Sequence, residues 1–424
     1  MTIYPQARLT HLPIQEIDFP PLFAADFISE FINACEHGKD GERLYHSWKV
    51  CITACMIGEK LKLGESEMKD LFFASLLHDI GGIGIEGNII DMLTSIPDVY
   101  GQKNNFPIFV HPHRSETILE TFPTFRKVSE IVGAHHEFYD GTGFPKGLKG
   151  DKIPLAARII RIADAVEIAS KLHPTEDLDD FVSLLGISSG EEFDPGLYDV
   201  FAGLVKNDGL FDMIGTDEAV RQNMKKLKSK MKDRYFLSSP DTLNRFFKMI
   251  AAVTDNLTSP GHNHSLRVAE ISVQIAYLMK LDESEILSVR WAAFLHDIGK
   301  LVGDRSVYYK KDKLSDEEWG IVRGHVQKSY DIINSVTGMD KLAYYILYHH
   351  ENYDGSGYPE GLKGEKIPFA SRILHVADAF DAITSNRPYH KKKQQEDAAG
   401  ELKKFVGKQF DPDIVDIFSK YVIS

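Results

Sequence analysis

Cysteine is scarce in this chain of 424 residues, with only Cys35, Cys51 and Cys55. Cys51 and Cys55 lie within one segment of helical pattern and no second pair has matching spacing, which excludes a disulfide framework or a thiolate zinc site and suits a reducing compartment. Long apolar runs are missing too, and no stretch approaches the roughly 20 residues of a membrane-spanning helix. The amino terminus, MTIYPQARLTHLPIQEIDFPPLF, has no basic start followed by an apolar run, so a cytoplasmic protein without membrane association is expected. Positive charge is in deficit: 49 Lys and Arg against 62 Asp and Glu leave a formal charge of -13. Such a surface repels phosphate backbones and argues against long nucleic acid or anionic lipid as a partner. Strand patterning is sparse, and Gly-Pro punctuation is confined to two stretches, DGTGFPKGLKG and DGSGYPEGLKG.

What is present is a repeat. HSWKV at His46 matches HSLRV at His264, and LLHDIGG around His78 matches FLHDIGK around His296, at one constant interval. At a slightly shorter interval, His111 in HPHRSETIL pairs with His325 in HVQKSYDII. HHEFYDGTGFPKGLKGDKIPLAARIIRIADA from His135 likewise parallels HHENYDGSGYPEGLKGEKIPFASRILHVADA from His349. Near each end FDPGLYDVF echoes FDPDIVDIF, so both copies are complete units, and a period this long means domain duplication rather than a solenoid. The spacing predicts a first domain over 1–206, a lysine-rich linker helix region over 207–239 and a second domain over 240–424. Apolar residues follow helical periodicity, as in SLRVAEISVQIAYLMKL, where Val268, Ile271, Ile275 and Leu278 form one stripe. The fold class is therefore all-α, two helical bundles with polar ligands facing inward.

The chain has 17 histidines, and most fall in these matched segments. In the second copy His264, His296, Asp297, His325, His349, His350 and Asp378 stand in or beside apolar helical segments, where polar groups need partners. The adjacent pairs His296-Asp297 and His349-His350 would diverge by about 100° on a helix, so each can reach a shared pocket from one wall. Imidazole and carboxylate without thiolate suit transition metals, iron or manganese first, with cobalt, nickel and zinc also compatible. Two such ions about 3.5 to 4 Å apart are a recurrent solution for phosphoryl chemistry, which makes phosphate-ester hydrolysis the natural reaction class. Lys300, four residues after His296, could act as a point cation toward phosphate.

The ordered set H…HD…H…HH…D, followed by DGSGYP and TSNRPY, resembles the HD-GYP subgroup of HD-domain phosphohydrolases across 240–424. That resemblance implies hydrolysis of a cyclic dinucleotide second messenger, cyclic di-GMP or cyclic GMP-AMP, to a linear 5′-phosphorylated dinucleotide. It implies that His264, His296, Asp297 and Asp378 hold one metal, that Asp297, His325, His349 and His350 hold the other, and that Asp297 bridges them. Asp297 and Lys300 would be catalytic. Lys300 and Arg387 would contact substrate phosphate, and Gly357, Tyr358 and Pro359 form the loop that names the subgroup and could also dock protein partners. This chain has His390 where relatives carry Arg or Lys. It has Pro260 where some members carry a glutamate that recruits a third metal, so a binuclear centre is expected; the first copy has Glu42 there.

The first copy keeps the corresponding ligands, His46, His78, Asp79, His111, His135, His136 and Asp164, and so could hold a second metal site. It has Gly82 in place of Lys300, GFP (Gly143, Phe144, Pro145) in place of GYP, and SKLHPTED where the second copy has TSNRPYH. Three readings of it stay open: a weak or differently specific hydrolase, a metal-stabilised regulatory domain, or a nucleotide receptor. For the whole chain the rival readings are a broader HD-type phosphoester hydrolase and a non-catalytic, nucleotide-sensing adaptor.

Overall fold

The computed structural model describes residues 24–36, 44–82, 107–172, 177–231, 240–258, 263–310, 312–385 and 393–423. Among these every regular element is helical, and the extended pairings are isolated bridges at Ser189–Phe193 and Val406–Phe410. The chain is an all-α protein, as its periodicity predicts. The described residues fall into two compact units, one within 28–36 and 43–235, the other within 236–424 together with the start of the first helix through Phe27.

Each unit is built around the helix that begins with its first-motif histidine. In the N-terminal unit, helix His46–Lys60 packs against Glu65–Leu77, Leu155–Leu172, Pro195–Asn207 and Asp217–Lys230. A helix wrapped on several sides must be apolar on most faces, and Val50, Cys51, Ile52, Ala54, Cys55 and Ile57 are all buried. In the C-terminal unit, His264–Leu278 is packed in the same way by Pro240–Thr258, Glu283–Leu295, Phe369–Thr384 and Pro412–Ile423. The single stripe read from sequence is too narrow here. Ala269, Val273 and Ala276 are buried beside Val268, Ile271 and Ile275, because four neighbours surround this helix, while Leu278 at its end is half-buried.

Both central helices start and stop alike. Tyr45 and Asn263 precede them in left-handed backbone (φ 50° and 43°), and Lys62 and Lys280 follow in the same region (φ 56° and 59°). At the latter the Leu63 N–H donates to Gly58 O and the Leu281 N–H to Ala276 O, closing the last turn and sending the chain back into the next helix.

The lysine-rich segment expected to link the two copies is, over Asp217–Lys230, a helix of the N-terminal unit. Val220, Met224 and Leu227 are buried at helical spacing, the Asn223 amide donates to Met213 O (3.1 Å), and Lys228 pairs with Glu30 (2.9 Å). Its apolar face gives it a docking partner, which a charge count alone conceals. The three cysteines are buried and form no disulfide. No described helix is long and apolar enough to cross a membrane.

Candidate metal centre

In the C-terminal unit five segments deliver the histidines and aspartates to one place. His264 opens the central helix, His325 sits midway along Asp316–Asn334 and Asp378 within Phe369–Thr384. The two adjacent pairs are placed differently from the sequence expectation. Helix Glu283–Leu295 ends before His296, and Asp297 has left helical backbone (φ −99°, ψ 2°) to start a 3-10 turn over Ile298–Leu301. His349 and His350 likewise follow the end of Asp340–Leu347. Turns, not helix faces, aim both pairs.

The cause of the first turn is the close approach of Gly299 to helix Asp316–Asn334, where a Cβ would lie 2.2 Å from His325 O and 2.4 Å from Ser329 N. Ser329 Oγ ties the crossing, accepting from the Gly299 N–H (2.8 Å) and donating to His296 O (2.8 Å). The first copy repeats this with Gly81, Ser115 and His78.

The imidazoles are oriented by their outer nitrogens. Nδ1 of His296, His325 and His349 donates to the carbonyls of Ala293 (2.9 Å), Val322 (2.5 Å) and Ile346 (2.6 Å), and Nδ1 of His264 donates to Asp381 (2.7 Å). With one proton spent outward, such a ring in its neutral form presents a bare Nε2 lone pair to the centre, the form in which it could ligate a cation. Asp297 lies among them with one oxygen toward each side: Oδ2 is 3.7 Å from His264 Nε2 and 3.3 Å from His296 Nε2, and Oδ1 is 3.4 Å from His325 Nε2. Asp378 Oδ1 is 3.3 Å from His264 Nε2. The three shorter distances are the mutual spacings, about 3.0 to 3.5 Å, of atoms that share a cation at about 2.1 Å, and the 3.7 Å pair is slightly wider.

Asp297 Oδ1, His325 Nε2 and His349 Nε2 are buried without a hydrogen-bond partner. Buried polar atoms without partners are costly, and inward-pointing lone pairs repel one another, so the donor set fits a cation. His264, His296 and Asp378 could hold one ion, and His325, His349 and His350 another, each trio converging within 4.8 Å.

The buried carboxylates and imidazoles shift one another, the carboxylates drawing positive charge, whether proton or cation, toward His264. Burial works against ionisation of Asp297 and Asp378, yet the surrounding imidazoles, with Lys300 beside Asp297, hold both carboxyls well below their usual range. Burial also opposes charge on His264, but Asp378 and Asp381 outweigh it and raise the ring to about 10. For His325 burial dominates and lowers it to about 4, and His349 and His350 are pushed down by burial and by their neighbouring imidazoles.

Lys300 Nζ lies 2.5 Å from Asp297 Oδ2 and 5.6 Å from the centre of the Tyr308 ring. In the named loop, a Cβ on Gly357 would lie 2.2 Å from Asn352 N, so only glycine fits, and the Tyr358 ring rests 5.1 Å from His350. Pro359 follows, and the Glu351 carboxylate ties the loop by accepting from the Glu360 and Gly361 N–H groups (2.7 and 2.9 Å). A cleft of about 410 Å³ opens beside His350 and Asp378, walled by Ile383, Phe405 and Gln409 with Lys393 at its edge. Arg387, His390, Glu42 and Pro260 lie outside the described residues.

The first copy gathers its own set. Asp79 Oδ2 faces His46 (3.8 Å) and His78 (3.5 Å), while Oδ1 faces His111 (3.1 Å) and His135 (3.6 Å). His46 and His78 meet through Nε2 at 3.2 Å, as do His111 and His135. His136 and Asp164 stand beside them. Gly82 is buried where the second copy has Lys300.

Sequence reasoning missed the residues that hold the ligands: Asp381 and Glu167 behind the first-motif histidines, Ser329 and Ser115 at the turn, and Glu351 and Glu137 under the loop. A signal existed, since each pair recurs in both copies with its chemistry intact.

Residues 35–180 and 246–414 each match the HD-domain family model, and the chain belongs to that family. Its second copy carries the loop sequence of the HD-GYP subgroup. Among relatives, a Vibrio cholerae protein named 3′3′-cGAMP-specific phosphodiesterase 3 is 26% identical over 396 residues, 82% of this chain and 84% of that one. A cyclic di-GMP phosphodiesterase of Thermotoga maritima is 34% identical over 196 residues, 46% of this chain and 53% of that protein. The crystal structure of a cyclic GMP-AMP specific phosphodiesterase of V. cholerae matches with a TM-score of 0.66 over 95% of this chain and 98% of that one, at 22% identity, a likeness of fold.

Proposed function

We propose that the C-terminal copy is a metal-dependent phosphodiesterase that opens a cyclic dinucleotide, cyclic di-GMP or cyclic GMP-AMP, to a linear 5′-phosphorylated dinucleotide, and that the N-terminal copy regulates it. The observation that carries this reading is Asp297, one carboxylate facing two groups of imidazole lone pairs. The names of the Vibrio and Thermotoga relatives support the substrate class. In this reading His264, His296, Asp297 and Asp378 hold one ion and Asp297, His325, His349 and His350 the other, iron or manganese by donor chemistry. When bound, such a pair lowers the pKa of water and offsets charge on phosphate and the leaving oxygen.

The protein supplies the rest. Lys300, beside the bridging carboxylate, offers its ammonium to a phosphate oxygen held at the same centre. Tyr358 and Tyr308 flank that position, their hydroxyls kept protonated by burial. The cleft beside Asp378 offers apolar walls to a base and Lys393 to a phosphate. A cytoplasmic location belongs to this reading and is supported by three buried cysteines without a disulfide.

The test is turnover of both cyclic dinucleotides by the chain loaded separately with iron and manganese, with products separated by chromatography. Linear dinucleotide is expected, formed about 10- to 100-fold more slowly by Lys300→Ala at unchanged ion content, since a hydrogen bond to a charged group contributes about 1.5 to 3 kcal/mol. No turnover with either ion would end the proposal.

Behind the ligands, Asp381 accepts from His264 and pairs with Arg267. Its removal frees the ring to rotate. Asp381→Ala is expected to weaken ion retention about 10- to 100-fold, measured by titrating the loaded chain with a chelator.

A further inference from the structure

The two copies diverge at one cation inside the cluster. Where the second copy has His375, the first has Arg161, and where the second has Gln409, the first has Glu192. The Arg161 side chain is buried, and one terminal nitrogen donates both to His136 Nδ1 (2.9 Å) and to Asp164 Oδ2 (2.9 Å). Its Nε lies 3.0 Å from Glu192 Oε1. A buried guanidinium flanked by two carboxylates is held in place, and it stays charged at any pH the protein survives. In the second copy His375 instead turns Nδ1 to the backbone carbonyl of His349 (2.7 Å), and among the described residues no cationic side chain donates to His350 as Arg161 does to His136.

A neutral imidazole has one lone pair. Arginine can only donate, so the lone pair of His136 is the one on Nδ1, and Arg161 has taken it. The other nitrogen then carries the proton and cannot ligate. Asp79, His111, His135 and His136 converge within 4.8 Å, but the fourth of them is spent and a fixed positive charge adjoins the half-site. The other half is intact: His46, His78 and Asp79 converge, and Asp164 keeps Oδ1 free, 3.5 Å from His46 Nε2.

We propose that Arg161 stands in for one ion, so that the first copy holds a single metal, at His46, His78, Asp79 and Asp164, where the second holds a pair. This deepens the functional reading, on whose metal sites it rests: a copy with one ion and no Lys300 lacks the paired centre and takes a regulatory or structural role.

The test compares full-length chains that differ only at position 161, in an Asp297→Ala background that removes the bridge of the second copy. After manganese loading and desalting, ions per chain are counted by plasma mass spectrometry, and electron paramagnetic resonance separates isolated from exchange-coupled Mn(II). Restoring the residue of the second copy, Arg161→His, is expected to raise the count by about one ion per chain and to introduce a coupled-pair signal. Arg161→Met, which removes the donor and the charge, is expected to do the same, and circular dichroism melts identify the folded variants. A coupled pair already present with Arg161 in place overturns the proposal, as does an unchanged count in whichever of the two variants folds. Because each comparison is made at one position, an error about the second copy's chemistry would appear in the shared background and not in this difference.

Discussion

Asp297→Ala is expected to lower hydrolysis of cyclic dinucleotide by about a thousandfold or more, while leaving the chain folded. Among the described residues this carboxylate lies within 3.3 to 3.7 Å of imidazole nitrogens on both sides of the C-terminal centre. Its loss takes a ligand from each proposed ion and the negative charge that offsets their mutual repulsion. Several kcal/mol of transition-state stabilisation depend on such a centre, and about 1.4 kcal/mol corresponds to tenfold in rate. Folding should survive, because removing a buried carboxylate also removes its desolvation cost and the cavity is small. Rates from product chromatography, with melting curves beside them, check the result; a folded variant within tenfold of wild type would remove Asp297 from the mechanism.

Gly299→Ala is expected to act through the backbone. The added Cβ would meet His325 O at 2.2 Å and Ser329 N at 2.4 Å, atoms of a long helix that no side-chain rotation can clear. Helix Asp316–Asn334 must retreat, which strains the crossing and withdraws His325 from His296. Overpacking of this kind costs about 1 to 3 kcal/mol or more, equivalent to a fall in melting temperature of about 2 to 12 °C for a unit of this size. The variant should also retain fewer ions than wild type. Gly320→Ala is the control: on the same helix nothing lies within 4 Å of its Cβ, so alanine should be neutral or slightly stabilising.

The fold class was readable because the matched segments carry helical periodicity twice over, and the Gly-Pro loops mark where helices must break. The dense histidine and aspartate motifs pointed to one pocket per copy, and the fold gathers those residues together. The misreadings are local. His296-Asp297 and His349-His350 read as helical pairs because nothing in their composition breaks a helix, yet they lie in turns made by contacts with elements far along the chain. Asp217–Lys230 read as a connector because its lysines dominate its composition, while its buried stripe depends on a partner helix.

By itself the sequence determined which donors are present, in what order, and that they occur twice, since residue identity and spacing are written in the chain. Only the tertiary structure decided which nitrogen of each ring is bare, because that follows from whichever carbonyl or carboxylate packs behind it. The same is true of Arg161, an ordinary helical arginine in sequence. Its meaning comes from lying 2.9 Å from a histidine 25 residues earlier in the chain, whose lone pair it takes.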